Sequence, residues 1–314
     1  MCYGRAHSAY PKAKDPMSSE DWIVNDLTLP TSEMEGEWES IIGVDKLKEQ
    51  IVNQVLLAIR LRADLPFKVS ALHGLILLHG PPGTGKTTLA RGVGQQVATL
   101  LAGGTLRYVE VDPHGLMSAE HGQSQQQVTE LLCEQIPLLA EGGAPTIVLI
   151  DEVESMVVAR SAASLTANPA DVHRATDAVL MALDRNAREH PNIITIATSN
   201  FTEALDEAFR SRADLALEIP LPDVAAILAI LERTLADFGV AYPKLGRLAK
   251  EPQLRAVATA LKGFDGRRVR KLVTQALAAE RGTVIDPNRL KIADLLKTAK
   301  RASEIQKAEL REAA

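Results

Sequence analysis

The chain has little of what would place it outside the cell or in a bilayer. Its 314 residues include two cysteines, Cys2 and Cys133, and no CxxC pair. No disulfide framework can be built from them, and a reducing, cytoplasmic compartment is expected. No run of about 20 apolar residues is present to span a membrane. The opening residues, MCYGRAHSAYPKAKDP, lack the apolar centre of a signal peptide. Aromatic residues are only 4% of the chain, so aliphatic side chains must fill its cores, and a hydrophobic content of 46% suffices for that. Positive charge is not in excess either. A net charge of −5 excludes a global basic field that would draw the protein to nucleic acid or an anionic membrane. There is no internal repeat and no low-complexity tract.

What is present falls into three zones. Residues 1–37 are polar, carry prolines at 11, 16 and 30, and show no sustained period, so a flexible arm with one short element near Trp22 is expected. Residues 38–220 alternate short aliphatic runs (GLILLHG, LRYVEVD, TIVLIDE, IITIATSN) with helix-length segments. That alternation predicts an α/β fold, a parallel sheet sandwiched by helices. Residues 221–314 lose the strand signal and keep apolar residues at helical spacing between Gly and Pro breaks, which predicts a small all-α domain.

The stretch LILLHGPPGTGKTTLARG carries the chemistry. Gly80 to Thr87 match G-x-x-x-x-G-K-[ST] between a strand-like run and a helical pattern. Strand, loop and helix N-terminus together aim backbone N–H groups and the positive helix end at one place, where phosphates can sit. The candidate nucleotide contacts are Gly80, Pro81, Pro82, Gly83, Thr84, Gly85, Lys86, Thr87 and Thr88. Lys86 is expected to reach the β- and γ-phosphates, and the Thr87 hydroxyl to ligate Mg²⁺. ATP and Mg²⁺ are therefore the expected ligands.

A second run, TIVLIDEVES, ends a buried strand in Asp151 and Glu152, at the sheet edge where open α/β folds bind ligands. Asp151 is expected to hold the metal through its water shell, and Glu152 to orient and deprotonate the attacking water. Asn200, at the end of IITIATSN, has the reach to touch the γ-phosphate or that water. In EALDEAFRSRAD, Arg210 and Arg212 read either as a solvated helix end or as an arginine finger for a neighbouring subunit. In GFDGRRVRKL, one of Arg267, Arg268, Arg270 and Lys271 has the place to swing over the phosphates.

Taken in order, these motifs resemble AAA+ ATPases. The segments LLHGPPGTGKT, VLIDEVES running on through ARSAASLTANPADVHRATDAVLMALDR, TSN…LDEAFRSRAD and GFDGRRVRKL resemble more closely the family of pachytene checkpoint protein two and thyroid hormone receptor interactor thirteen. The resemblance covers Trp38 to about Gly282. It implies an ATP-hydrolysing homo-hexamer that grips a flexible end of a closed HORMA-domain protein and opens it. It also implies Asn200 as the first sensor, Arg212 as the finger, Arg267 as the lid sensor, and Ile42 and Gly43 as adenine contacts. Residues 1–37 are too few for the adaptor-binding domain of eukaryotic members. The chain therefore resembles bacterial members that regulate anti-phage systems built on a cyclic-oligonucleotide synthase. The pore loop departs from the family, because Glu120, His121 and Gly122 stand where an aromatic is usual. Two other functions share the same core: a nucleic-acid loader or motor, and a nucleotide-gated scaffold.

Overall fold

Alternation within four short aliphatic runs organises the sheet. In Leu75–His79 (β2), Leu75 and Leu77 face one side while Ile76 and Leu78 face the other. In Thr146–Ile150 (β4), Val148 and Ile150 oppose Ile147 and Leu149 in the same way. Strands buried on both faces need helices on both faces, which is why no polar alternation marks them in the sequence. The structure, a computed structural model, describes residues 22–101, 104–117, 123–159 and 169–312.

Six strands form one sheet in the order β1-β3-β4-β5-β2-β6. The remaining strands are Ile23–Leu29 (β1), Leu106–Val111 (β3), Ile193–Ser199 (β5) and Leu215–Glu218 (β6). All neighbours are parallel except β1, which runs antiparallel to β3. Helices Asp45–Asp64 and Lys86–Leu100 cover one face, burying Ile51, Val55, Leu89 and Val93. On the other face, helix Pro169–Glu189 and the helical run beginning at Ser124 bury Val179, Val128 and Leu131. A mostly parallel sheet between two helical layers is the α/β fold that the sequence predicts.

The expected arm over residues 1–37 needs correction where it is described. Residues 23–29 form an edge strand, and the preceding Trp22 and the terminal Leu29 are buried. The strand has a weak sequence signal because only alternate residues turn inward, and Asn25 and Asp26 interrupt its apolar character. Asn25 nonetheless faces in, its Nδ2 donating to Glu110 Oε2 at 2.9 Å. Residues 22–37 thus belong to the folded α/β unit; residues 1–21 lie outside the described ones.

Beyond Pro222 six helices enclose a separate aliphatic core that includes Ile227, Leu231, Val257, Phe264, Val269, Leu272 and Leu295. The first starts at Asp223, whose side chain accepts from the Ala226 N–H, and the fourth starts at Asp265, whose side chain accepts from Arg268 N–H. Capping fixes where each helix begins. Asp265 therefore stands at a defined point beside the phosphate loop.

Candidate nucleotide site

The carboxyl ends of β2, β4 and β5 bring the candidate residues together. From β2 the chain enters the loop, and Gly85, at φ +93°, stands as the N-cap of helix Lys86–Leu100. Two glycines are required by close approach as well as by φ. A Cβ on Gly83 (φ +79°) would run into the Asp265 carboxylate, and one on Gly80 (φ +138°) into the backbone carbonyl of Ile219. The loop and the helical unit also meet through the backbone, where Arg267 N–H donates to Gly83 O at 3.3 Å.

Lys86 is buried and its ammonium is fully engaged. It donates to Gly80 O at 2.8 Å, Pro81 O at 2.9 Å and Asn200 Oδ1 at 2.7 Å. Burial pulls its pKa below the ordinary lysine value, against the opposing pull of Glu154, Asp151 and Glu152. Asn200 passes the connection on, its Nδ2 donating to Glu152 Oε1 at 3.1 Å. Beside this chain, Thr87 Oγ1 donates to Asp151 Oδ1 at 2.7 Å. A hydroxyl and a carboxylate so paired are the donor set that Mg²⁺ takes alongside phosphate oxygens and water. Lys86, Asn200 and Glu152, expected from three separate motifs, are thus joined in one hydrogen-bonded run.

These groups border a cleft of about 520 Å³ between the sheet edge and the helical unit. Pro82 to Thr88, Asp151, Glu152 and Asn200 line it from the α/β side, with Ile42 and Gly43 at its rim. Arg267 lines it from the helical side, as do Arg270 and Lys271. Gly80 and Pro81 are not on its wall; they contribute the carbonyls that hold Lys86. Arg212 is elsewhere. Its Nε and Nη2 pair with the two oxygens of Asp184 at 2.8 and 2.9 Å, and it does not line the cleft. Arg210 is exposed two residues before it. Glu120, His121 and Gly122 lie outside the described residues.

Four further residues belong to this arrangement. Thr198 Oγ1 donates to Asp151 Oδ1 and accepts from the Glu152 N–H. Glu154 Oε1 accepts from the Asn200 N–H at 2.9 Å. Asp265 packs on Gly83, and His114 Nε2 lies 3.2 Å from Glu152 Oε2. For Thr198 and Glu154 a signal existed, since each is a polar residue two positions from a named one, beside the carboxyl ends of β5 and β4. Asp265 and His114 had none, because their proximity arises only from tertiary packing.

Residues 76–221 match the ATPase family associated with various cellular activities (AAA). Over 278 residues the chain is 42% identical to CD-NTase-associated protein 6 of Pseudomonas aeruginosa, spanning 88% of this chain and 91% of that protein. The chain belongs to the AAA ATPases. This AAA ATPase is also 36% identical over 222 residues to the Pachytene checkpoint protein 2 homolog of Danio rerio, 69% of this chain and 52% of the relative. It therefore spans about half the length of that relative. A chain in the solved E. coli MS115-1 HORMA:CdnC:Trip13 complex shares the fold, with a TM-score of 0.70, 18% identity, and coverage of 90% of this chain and 96% of that one.

Proposed function

We propose that this AAA ATPase hydrolyses ATP and uses the energy to open closed HORMA-domain proteins, within an anti-phage system built on a cyclic-oligonucleotide synthase. One observation carries the hydrolytic half: the hydrogen-bonded run Lys86–Asn200–Glu152 beside the Thr87–Asp151 pair. The partner half is supported by the name of the Pseudomonas aeruginosa relative, which ties that protein to a CD-NTase, and by the solved complex of similar fold, which joins HORMA, CdnC and Trip13.

The residues fit a magnesium nucleotide, since two glycine-only approaches leave the loop backbone bare and a cation stands at its end. In the proposed reaction Lys86 exchanges its loop carbonyls for phosphate oxygens. Thr87 and Asp151 would hold the metal, and Mg²⁺, when bound, offsets the charge that builds on the transferring phosphoryl group. Glu152 takes the proton of the attacking water, and Asn200 orients that water or the γ-phosphate. Ile42 and Gly43 contact adenine, and Arg267 approaches the phosphates from the helical side. Arg212 serves a neighbour's site in a homo-hexameric ring. Glu120, His121 and Gly122 touch the substrate in the central channel.

The deciding experiment incubates the purified chain with a closed HORMA-domain protein in complex with that protein's closure peptide. ATP-dependent release of the peptide, absent in Glu152→Gln, is expected. Release without ATP, or none in the presence of steady ATP turnover, contradicts the remodelling role. Against a nucleic-acid loader stands the position of the basic cluster, since Arg267, Arg270 and Lys271 line the nucleotide cleft rather than a free face. ATPase stimulation by DNA would favour that alternative, and assembly without turnover would favour a scaffold.

A further inference from the structure

Three successive carbonyls at the end of the short helix Glu37–Ser40 are each held by a cation from a different helix. Lys48, in helix Asp45–Asp64, donates from its ammonium to Trp38 O at 2.5 Å. Arg233, in helix Val224–Gly239, donates from Nη1 to Glu39 O at 3.2 Å. Arg270, in helix Gly266–Ala278, donates from Nη2 to Ser40 O at 2.6 Å. The last carbonyls of a helix have no partner within it, and basic side chains supply one. Here the first cation belongs to the α/β unit and the other two to the helical unit.

The next residues carry this attachment into the nucleotide cleft. Gly43, at φ +85°, passes so close to helix Val224–Gly239 that a Cβ there would lie 2.5 Å from Ala226 Cβ. Ile42 lines the cleft and packs against the aliphatic core of the helical unit, although in sequence it belongs to the α/β unit. Among the described residues no group pairs with the N–H or the C=O of Ile42. A carbonyl left open in this way can accept from the N6 amino group of adenine. Guanine carries the acceptor O6 in place of that amino group, so acceptor would face acceptor. Discrimination of this kind needs a fixed backbone, because a strap free to turn would offer N–H or C=O to either base.

We propose that Arg233 and Arg270 are positioning residues for base selection. By holding Glu39 O and Ser40 O they keep residues 39–43 on the helical unit, with Ile42 set to accept adenine and refuse guanine. The inference rests on the reading that Ile42 and Gly43 contact adenine. Arg233 does not line the nucleotide cleft, so its effect on the base passes through the strap.

The test uses the full chain and compares steady-state turnover of Mg·ATP and Mg·GTP in wild type, Arg233→Met, Arg233→Lys and Arg270→Met. Both arginines are exposed, and methionine keeps most of the side chain while removing the donor, so the melting temperature should stay near wild type. In Arg233→Met the ratio of kcat/KM for ATP to that for GTP should fall roughly three- to tenfold, the span that one hydrogen bond of ordinary net strength covers. The loss should sit in KM for ATP rather than in kcat. Arg233→Lys, which can still donate to Glu39 O, should return most of the ratio. Arg270→Met should lower the ratio as well; the charge it removes beside the phosphates acts on both nucleotides alike and cancels. An unchanged ratio in Arg233→Met, or equal weakening of ATP and GTP, overturns the proposal. Wild type that turns over GTP as well as ATP instead overturns the adenine contact itself, a failure visible before any variant is made.

Discussion

The two ends of the central sheet hold similar residues and put them to opposite uses. At the amino end of β2 and β5, Arg62 is 4% exposed and its guanidinium donates to Ile193 O, to Asn186 O at 3.2 Å and to His190 O at 3.4 Å. Burial lowers its pKa to about 10, which leaves it charged at neutral pH. Asp214 nearby accepts from the N–H groups of His73 at 2.9 Å and Gly74 at 2.7 Å. Gly74 has no alternative, since a Cβ there would collide with the Arg62 guanidinium. At the carboxyl end, Asn200 joins Lys86 to Glu152 and Thr87 joins Asp151 through side chains, and the other partners of Lys86 are carbonyls of the loop rather than of a strand or helix, around an open cleft. Backbone partners fixed in strands and helices cannot leave, whereas a side-chain or loop partner can be exchanged for a phosphate oxygen. The amino end is built for stability and the carboxyl end, on the proposed function, for turnover.

The comparison can be broken most severely at Arg212, which belongs to neither use within its own subunit. Arg212→Ala is expected to lower turnover by roughly 10³-fold while each subunit still binds nucleotide. Mixing it with Lys86→Ala subunits should restore part of the activity, because some interfaces then pair an intact site with an intact arginine. No recovery in stably mixed rings removes the trans role, and exposed Arg210 is then the next residue to replace.

Lys86→Ala should weaken nucleotide binding by roughly 10- to 100-fold, as expected for loss of charge-assisted bonds to phosphate, and leave urea unfolding near wild type. Arg62→Ala should do the reverse. Leaving three buried carbonyls without their donor should cost about 2–4 kcal/mol in unfolding free energy, with nucleotide affinity unchanged. Reversed outcomes for these two variants would refute the division between the sheet's ends.

The smallest effect concerns Asp184. The side-chain bond from Arg212 holds its carboxyl below the ordinary value of 3.8. A carboxyl depressed by folding contributes stability that is complete above its unfolded pKa and is lost as pH falls through the folded one. Arg212→Ala should therefore move the Asp184 titration, followed by carbon NMR of the carboxyl, back toward 3.8, and flatten the loss of stability as pH falls below that value. An Asp184 titration that does not move would show that the pair is not formed in solution.

The site was more legible in sequence than the sheet that carries it. Gly80 to Thr87, Asp151, Glu152 and Asn200 are named by short local patterns, since phosphate chemistry needs those residue types at fixed spacings. Strands β2 to β5 were equally plain as isolated aliphatic runs. β6 was not, because Leu215, Ala216, Leu217 and Glu218 are helix formers that only the open edge of β2 turns into a strand. β1 was hidden by its polar outer face, and the contacts of His114 and Asp265 by distances along the chain of 38 residues to Glu152 and of 182 residues, from 83 to 265, to Gly83. Interactions of that kind have no local signature.

The proposed turnover rests above all on Glu152 as the base, and the most direct test measures nucleotide binding and steady-state turnover together in Glu152→Gln. The amide keeps the size and the bond from Asn200 while removing the proton acceptor. ATP affinity within about twofold of wild type, with kcat lowered by roughly 10²- to 10⁴-fold, is predicted. Turnover at the wild-type rate, or loss of binding and turnover in equal measure, would contradict that role.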